Sequence, residues 1–273
     1  MKVAFTDFWP GFIADNNFIY NLLEHNLSGV KVTHPKDAHV LFFSVFGKKH
    51  LQYDCHKVAY TGENVHADKL KPYCDNSLSF SKTTKHNKRL PLWLWYIDWF
   101  GKPTGNPNYL VPKDWLYPDR NPNFKKEKTE FCATIFSNPV PQRYEAINRL
   151  SQISAVHHYG KGGRHLPQGE QAKLQVLSNY RYNICLENSI GEGYVTEKIL
   201  HAFVAGCIPI YYGSRMVKDD FLNPFLWYND NIIDAIKAQD GKAMVDYANN
   251  PIVRPDVLYE ASRAILLSIN PHH

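Results

Sequence analysis

The sequence predicts an α/β protein made of two Rossmann-like domains, and three observations lead to this prediction. Short apolar runs alternate with amphipathic or polar segments along both halves of the chain. Some runs, such as Val40–Phe43, are apolar at every position, which is typical of strands buried on both faces of a parallel sheet. The length of 273 residues is enough for two compact domains. Because parallel sheets are covered by helices, this pattern favours the α/β class.

The first half of the chain contains one predicted helix and five predicted strands. Phe18, Ile19, Leu22 and Leu23 have the spacing of one helical face. The strands are predicted from their apolar character at residues 3–8, 30–33, 40–46, 58–61 and 78–80.

A change of composition between about residues 102 and 128 predicts the connection between the domains. Five prolines stand there among glycine, asparagine and basic residues, and such a segment sustains neither a helix nor a central strand. We therefore expect an N-terminal domain at residues 1–125 and a C-terminal domain at residues 126–273.

The second half repeats the alternation of strands and helices. Apolar runs predict strands at residues 131–136, 155–159, 182–186 and 208–212. Helical spacing predicts helices at residues 143–150, around Leu174 and Leu177, and at residues 196–205, 232–238 and 257–269.

Composition and charge limit the classes of function. Lysine and arginine total 31 against 26 acidic residues, a net charge of +5, which favours an anionic ligand; a phosphate-bearing small molecule fits as well as nucleic acid does. The five cysteines have no C-x-x-C spacing, so neither a zinc cluster nor a disulfide framework is indicated. No apolar run approaches the ~20 residues of a spanning helix. We expect a cytoplasmic protein with at most peripheral contact with a membrane.

The segment around residues 187–198 is the strongest candidate for a binding site. It follows a predicted strand, and loops at the carboxyl ends of parallel strands face the ligand. Thr196 is the predicted N-cap of the next helix, and Lys198 opposes the helix dipole at a cost of ~0.3–1 kcal/mol. A phosphate bound at this helix end would offset that cost. The alternative, a solvated Lys198 and a capping Glu197, has about equal weight from these residues alone.

Three motifs resemble a known family. Residues 182–213 contain Glu187-Asn-Ser189, Tyr194-Val-Thr-Glu-Lys198 and Ile208-Pro-Ile-Tyr211, a run that resembles the donor-binding signature of the family 10 glycosyltransferases, the α1,3/α1,4-fucosyltransferases. Gly62-Glu-Asn64 and the turn at residues 137–143 are similar to two further motifs of that family. The resemblance extends over residues 57–230.

The resemblance implies a GT-B fold, with an N-terminal acceptor domain, a C-terminal donor domain and a cleft between them. It also implies inverting transfer of L-fucose from GDP-fucose to a hydroxyl of a glycan acceptor, expected to be O3 of GlcNAc or glucose. Neither a cofactor nor an essential metal is expected, and the chain has no Asp-x-Asp motif for a divalent cation.

Six site residues are carried over from the matching motifs. The resemblance implies that Glu63 is the general base, and that Arg143 and Lys198 act as catalytic cations that bind the donor pyrophosphate. It assigns Glu197 to hydroxyls of the ribose or fucose. The remaining donor contacts are Asn188 and Tyr194.

Each assignment has a plainer alternative. Glu63 could cap a following helix, and Arg143 could be a solvated arginine in the first turn of its helix. Glu187 is a weaker candidate, because it could serve only to bond backbone N–H groups. Trp93 and Trp95 belong to an aromatic cluster that favours core packing over an acceptor platform. The glycine-rich turn at residues 159–164 is expected to be a surface loop.

Three alternative functions stay open from the sequence. The first keeps this fold and mechanism with another nucleotide sugar. The second is a nucleic-acid binder, suggested by the basic residues at 120–128, although the charge is too balanced for us to expect nucleic acid as a partner. The third is a lectin-like relative without catalysis.

Overall fold

The computed structural model describes residues 1–102, 105, 107, 109–238 and 250–270. The chain divides into two compact units. The first comprises Met1–Leu110, Gly191–Tyr194 and the segment from Asp256 onward, and the second comprises Val111–Ile190 and Val195–Pro255.

The regular elements are mostly short strands and helices. The strands are β1 (Lys2–Thr6), β2 (Lys31–Val32), β3 (Val40–Phe43), β4 (His56–Tyr60), β5 (Asn76–Ser79), β6 (Asn87–Arg89), β7 (Ile97–Asp98), β8 (Val111–Pro112), β9 (Glu130–Ile135), β10 (Val156–Tyr159), β11 (Tyr180–Leu186), β12 (Ile208–Tyr212) and β13 (Leu226–Trp227). The α-helices are α1 (Phe18–Asn26), α2 (Pro141–Leu150), α3 (Glu170–Leu177), α4 (Glu197–Val204), α5 (Val217–Asp220), α6 (Ile232–Ala238) and α7 (Val257–Ser268). Short 3-10 helices lie at Pro35–Asp37, Lys49–Gln52, Ala67–Lys69, Lys71–Tyr73, Leu92–Tyr96, Lys113–Leu116 and Pro122–Phe124.

The first unit is built on a six-stranded parallel sheet in the order β2-β1-β3-β4-β5-β6. Every residue of β3 is buried, as its continuous apolar run predicts. Helix α1 begins where the side chain of Asn17 accepts a hydrogen bond from the backbone N–H of Tyr20, and it buries Ile19, Leu22 and Leu23. Trp93 and Trp95 are almost fully buried, so the prediction that they pack in the core is confirmed.

The second unit is built on a five-stranded parallel sheet in the order β10-β9-β11-β12-β13. Helix α4 follows β11 and buries Ile199, Leu200 and Phe203 completely. These apolar side chains hold the helix against the sheet, so the start of α4 is fixed at the carboxyl end of β11. The loop that joins β11 to α4 therefore begins at the carboxyl end of the sheet, as the sequence predicts.

The two units differ from the predicted domains in three places. One is Gly191–Tyr194, which belongs to the first unit although the predicted C-terminal domain includes it. Residues 111–125 belong to the second unit, where Asn121 Nδ2 donates to the carbonyls of Trp115 (3.1 Å) and Val204 (2.9 Å). Helix α7 belongs to the first unit, and the carbonyl of Ser268 contacts His56 Nε2 (2.8 Å) and accepts from Asn76 Nδ2 (3.1 Å). Helical periodicity predicts an apolar face but not the sheet that covers it. Residues 103, 104, 106 and 108 of the predicted connection lie outside the described residues.

None of the described helices has the length and apolar character needed to cross a bilayer.

Candidate active site

A cavity of about 330 Å³ in the second unit brings four predicted site residues together. It opens at the carboxyl ends of β9 and β11, next to the first turns of α2 and α4. Arg143, Asn188, Glu197 and Lys198 all line it, although Arg143 precedes the other three by more than forty residues in the sequence. The parallel sheet explains this convergence, because β9 and β11 are neighbours and both end at the same edge.

The side chain of Arg143 is held firmly in the wall of the cavity. The residue is only 3% exposed, so the alternative of a solvated first-turn arginine is wrong. Its guanidinium donates to the carbonyls of Asn138 (2.9 Å) and Leu186 (2.8 Å) and to Asn188 Oδ1 (2.7 Å). The guanidinium carbon also lies 5.0 Å from the ring centre of Phe136. These contacts fix a planar cation at the end of β11.

Lys198 forms a compact ionic group with Glu187 and Thr196. Glu187 Oε1 accepts from the backbone N–H of Thr196 (2.8 Å), and Glu187 Oε2 accepts from the Thr196 hydroxyl (2.7 Å). Lys198 Nζ lies 3.2 Å from Glu187 Oε2 and donates to Thr196 Oγ1 at 2.8 Å. The Glu187 side chain has no exposed surface, whereas that of Lys198 is 21% exposed toward the cavity. The carboxylate therefore holds the ammonium at the cavity wall.

This group revises two expectations about the start of α4. Thr196 occupies the N-cap position as predicted, but its side chain makes no cap hydrogen bond and bonds Glu187 instead. The charge of Lys198 in the first turn is offset in the protein by Glu187. Glu187 accepts a hydrogen bond from a backbone N–H, which was the alternative to a role in the site, and it also positions Lys198. A Cβ at Gly213 would lie 2.8 Å from Glu187 Cγ, so a glycine at this position leaves room for the carboxylate.

Glu197 is an ionised carboxylate with an unusually low pKa. Burial by itself raises the pKa of the Glu197 carboxyl, but the positive charges of Lys198, at 3.7 Å, and of nearby His201 outweigh burial and lower the pKa to about 2. A group with such a pKa accepts hydrogen bonds but is a weak proton acceptor.

Sequence reasoning missed a second polar group that lines the cavity. His201, one helical turn after Glu197, lines the cavity together with Lys173. Its Nε2 lies 3.5 Å from one carboxylate oxygen of Glu170, and the other oxygen accepts from Lys173 Nζ at 2.7 Å. Burial lowers the pKa of the His201 imidazole, against the opposing effect of Glu170. The i, i+4 spacing of Glu197 and His201 is the sequence signal that could have identified this residue.

The glycine-rich turn borders the same cavity. Gly160, Gly163 and Arg164 line an open groove of about 550 Å³, which shares Ser137 and Lys173 with the cavity. The turn lies at the carboxyl end of β10 and has exposed residues, as a surface loop does. Its position next to the cavity is not evident from its composition.

Glu63 and Tyr194 lie in the first unit. Glu63 follows β4 and is exposed; its backbone N–H donates to Thr61 Oγ1 (3.1 Å). The following 3-10 helix is capped by the side chain of His66, so the capping alternative for Glu63 is wrong. Tyr194 does not line the cavity described above: its ring is buried and packs edge-on against Phe80, with the ring centres 5.2 Å apart. A donor contact of Tyr194 stays a prediction.

Two family models match the chain. The model of the alpha-(1,3)-fucosyltransferase FucT N-terminal domain matches residues 3–96, and that of the C-terminal region of glycosyltransferase family 10 (fucosyltransferase) matches residues 125–247. Together they cover well over half of the chain. The chain belongs to glycosyltransferase family 10.

Individual relatives and solved structures agree with this family. Alpha-(1,3)-fucosyltransferase FucT of Helicobacter pylori is 28% identical over 87% of this chain and 56% of the relative. The 4-galactosyl-N-acetylglucosaminide 3-alpha-L-fucosyltransferase 9 of Cricetulus griseus is 32% identical over 41% of this chain and 32% of the relative. The chain thus spans about half or less of the length of these curated relatives.

Crystal structures of α1,3-fucosyltransferase share the fold. One superposes with a TM-score of 0.74 at 22% identity and covers 100% of this chain and 91% of that chain. Another, solved with GDP-fucose, has a TM-score of 0.71 at 23% identity and covers 98% and 89% of the two chains. The prediction of an α/β fold of the GT-B class, with two Rossmann-like units, is confirmed.

Proposed function

We propose that this family 10 protein is an inverting fucosyltransferase that moves L-fucose from GDP-fucose to a hydroxyl of a glycan acceptor, O3 of GlcNAc or glucose, without an essential metal. The observation that carries the proposal is the cavity of the second unit, in which Arg143, Lys198, Glu197 and Asn188 meet. Two cations and one hydrogen-bonding carboxylate in a single cavity suit a ligand that combines a diphosphate with sugar hydroxyls.

The two cations would bind the diphosphate and stabilise it as a leaving group. The guanidinium of Arg143 is planar and held in place, and the ammonium of Lys198 is held by Glu187. Fixed positive charges need little reorganisation as negative charge develops on the departing oxygen, which is the main source of electrostatic catalysis. Asn188, whose Oδ1 accepts from Arg143, would present its amide N–H groups to the donor.

The two carboxylates in this proposal have different roles. Glu197, with its pKa of about 2, would stay ionised and accept hydrogen bonds from ribose or fucose hydroxyls. Glu63 is exposed, so the acceptor can reach its carboxylate, and we assign it the role of general base.

In the proposed reaction the acceptor oxygen attacks C1 of fucose from the face opposite the diphosphate. The bond between C1 and the phosphate oxygen breaks, GDP leaves with the electron pair, and the acceptor proton passes to Glu63. One displacement at C1 inverts its configuration, and the transfer uses no oxidant or reductant.

The test is a transfer assay on the purified chain. GDP-fucose is incubated with N-acetyllactosamine or lactose in excess EDTA, GDP release is measured, and the product linkage and anomeric configuration are read by NMR. We expect an inverted fucoside at O3 and a rate that EDTA does not change. Faster transfer from GDP-mannose, UDP-galactose or UDP-GlcNAc would overturn the donor assignment. A rate abolished by EDTA and restored by Mn²⁺ would overturn metal independence.

A further inference from the structure

A second cavity of the second unit, of about 470 Å³, has no role in the function proposed above. It lies at the carboxyl ends of β12 and β13, and Tyr212, Arg215, Lys218, Trp227 and Tyr228 line it. The cavity therefore combines two cationic side chains with three aromatic ones.

The two cations lie on the same side of one turn. The backbone N–H of Lys218 donates to the carbonyl of Arg215 (3.3 Å), and this i, i+3 spacing brings the two side chains together. Within the part of the chain that the structure describes, neither side chain has a carboxylate within 4.0 Å. The nearby carboxylate of Asp230 pairs with Arg149 instead (3.4 Å). Arg215 and Lys218 are thus available to an anion.

The aromatic side chains supply flat surfaces beside these cations. Tyr212 is 37% exposed, and its ring meets that of Tyr228 at 88°, with the ring centres 6.3 Å apart. The ring of Trp227 is half-buried and lies 5.9 Å from Lys218 Nζ. Aromatic faces pack well against the C–H faces of pyranose rings, and an arginine fork binds carboxylate or sulfate with two parallel hydrogen bonds.

The second cavity lies close to the predicted donor site. The carbonyl of Tyr212 accepts from the backbone N–H of Glu187 at 3.0 Å, and Glu187 is the residue that holds Lys198. Because β11 and β12 are neighbouring strands, both sites lie at the carboxyl edge of the same sheet. An extended glycan bound along that edge could therefore place one of its units in this cavity.

We propose that this cavity binds an acidic saccharide unit, a pyranose with a carboxylate or sulfate group, through Arg215 and Lys218, with the ring against Tyr212 or Trp227. The substrate class of the enzyme would accordingly include acceptor glycans with an acidic group. This second statement rests on the proposed function, whereas the binding itself does not. An anionic membrane would need protruding apolar side chains, but Trp227 and Tyr228 are half-buried in a concave site.

The first experiment measures binding by saturation-transfer NMR and calorimetry on the full chain. Methyl glucuronide and methyl glucoside form a matched pair that differs at C6, and 6-sulfo-GlcNAc methyl glycoside separates sulfate from carboxylate. We expect at least one acidic probe to bind tenfold or more tightly than its neutral counterpart. We expect R215Q and K218Q to abolish that preference, and K237Q, at an exposed lysine of α6, to retain it.

The outcomes separate this inference from the proposed function. Equal binding of acidic and neutral probes, or an acidic preference that survives in the double variant R215Q/K218Q, would overturn the inference even if fucose transfer is observed. Acidic binding without fucose transfer would overturn the proposed function and leave the binding site standing. Binding to anionic vesicles that depends on Arg215, with no preference among the saccharides, would also overturn the inference of an acidic saccharide site. The thermal unfolding midpoint, measured on each variant, reports whether the second unit is folded.

Discussion

The two regions that carry the predicted site residues hold their charged groups in different ways. In the second unit Arg143 and Glu187 are buried and make several hydrogen bonds each, and they fix the neighbouring polar groups. In the first unit Glu63 is exposed at the end of β4. The difference matches the proposed roles: binding of a diphosphate gains from charges fixed in advance, whereas a base must meet an acceptor that arrives from solvent.

The largest loss of activity is expected from a change at the exposed Glu63. E63Q keeps the size of the side chain and removes its basicity, so we expect kcat to fall by roughly 10²–10⁴-fold while GDP affinity stays within about twofold. Steady-state rates and calorimetry measure the two quantities. D68N, which alters another exposed carboxylate of the same unit, is the matched control and should keep its rate. A near-normal rate in E63Q would remove Glu63 from the mechanism.

A substitution at Arg143 tests whether catalysis needs the planar, fixed guanidinium or only a positive charge. R143K keeps the positive charge but cannot bond the carbonyls of Asn138 and Leu186 and a phosphate together, so we expect kcat/KM to fall by roughly 10²–10³-fold. The same substitution at Arg149, on the same helix, is the control. If both variants show equal rates, the pyrophosphate role of Arg143 is wrong.

A substitution at Glu187 tests how much the buried group of Glu187, Thr196 and Lys198 contributes to the free energy of unfolding. In E187Q the amide N–H₂ of the new side chain faces either the Thr196 N–H or the donors around Oε2, because both carboxylate oxygens accept in the protein. We expect a loss of roughly 1–3 kcal/mol in the free energy of unfolding, measured by urea denaturation. Unchanged stability would mean that Glu187 does not bind these donors as described.

The smallest effect concerns the pH dependence of stability. The pKa of Glu197 is about 2 in the folded protein against about 4.5 ordinarily, so its ionised form stabilises the fold above pH 4.5. That contribution is lost as the pH falls from 4.5 toward 2. We expect the difference in the free energy of unfolding between E197Q and the unaltered protein to shrink as the pH falls from 4.5 toward 2. E260Q, at an exposed position of α7, should show no such trend. A difference that stays constant with pH would contradict the low pKa.

The sequence predicts well what depends on buried strands. Apolar runs locate β3, the second half of β11 and β12. The rule that ligands meet the carboxyl ends of parallel strands brings Arg143 and Lys198 to one cavity. The edge strand β6 was missed because it is polar: Asn87 Oδ1 accepts from the hydroxyls of Ser77 (2.9 Å) and Ser79 (2.8 Å), and no apolar run marks it.

Other features depend on contacts between segments far apart in the chain. The placement of α7 in the first unit and the pairing of His201 with Glu170 join residues whose proximity no local pattern reveals. The role of Glu187 was underestimated for the same reason, because it depends on where Lys198 points once α4 has packed. The second cavity, with Arg215 and Trp227, is similarly made by the ends of two adjacent strands.

Whether the cavity of the second unit holds the donor diphosphate is tested by a calorimetric titration of GDP and guanosine into the unaltered protein, K198A, and the double variant E187Q/K198A. The double variant removes both partners of the buried pair, so any loss of GDP affinity it shows does not come from an unpaired Glu187. We expect GDP to bind tenfold or more weakly to both variants, because each lacks a charge-assisted contact to phosphate, and guanosine to bind all three proteins alike. K237A should bind GDP normally. Undiminished GDP affinity in the double variant would contradict the claim that this cavity holds the donor diphosphate.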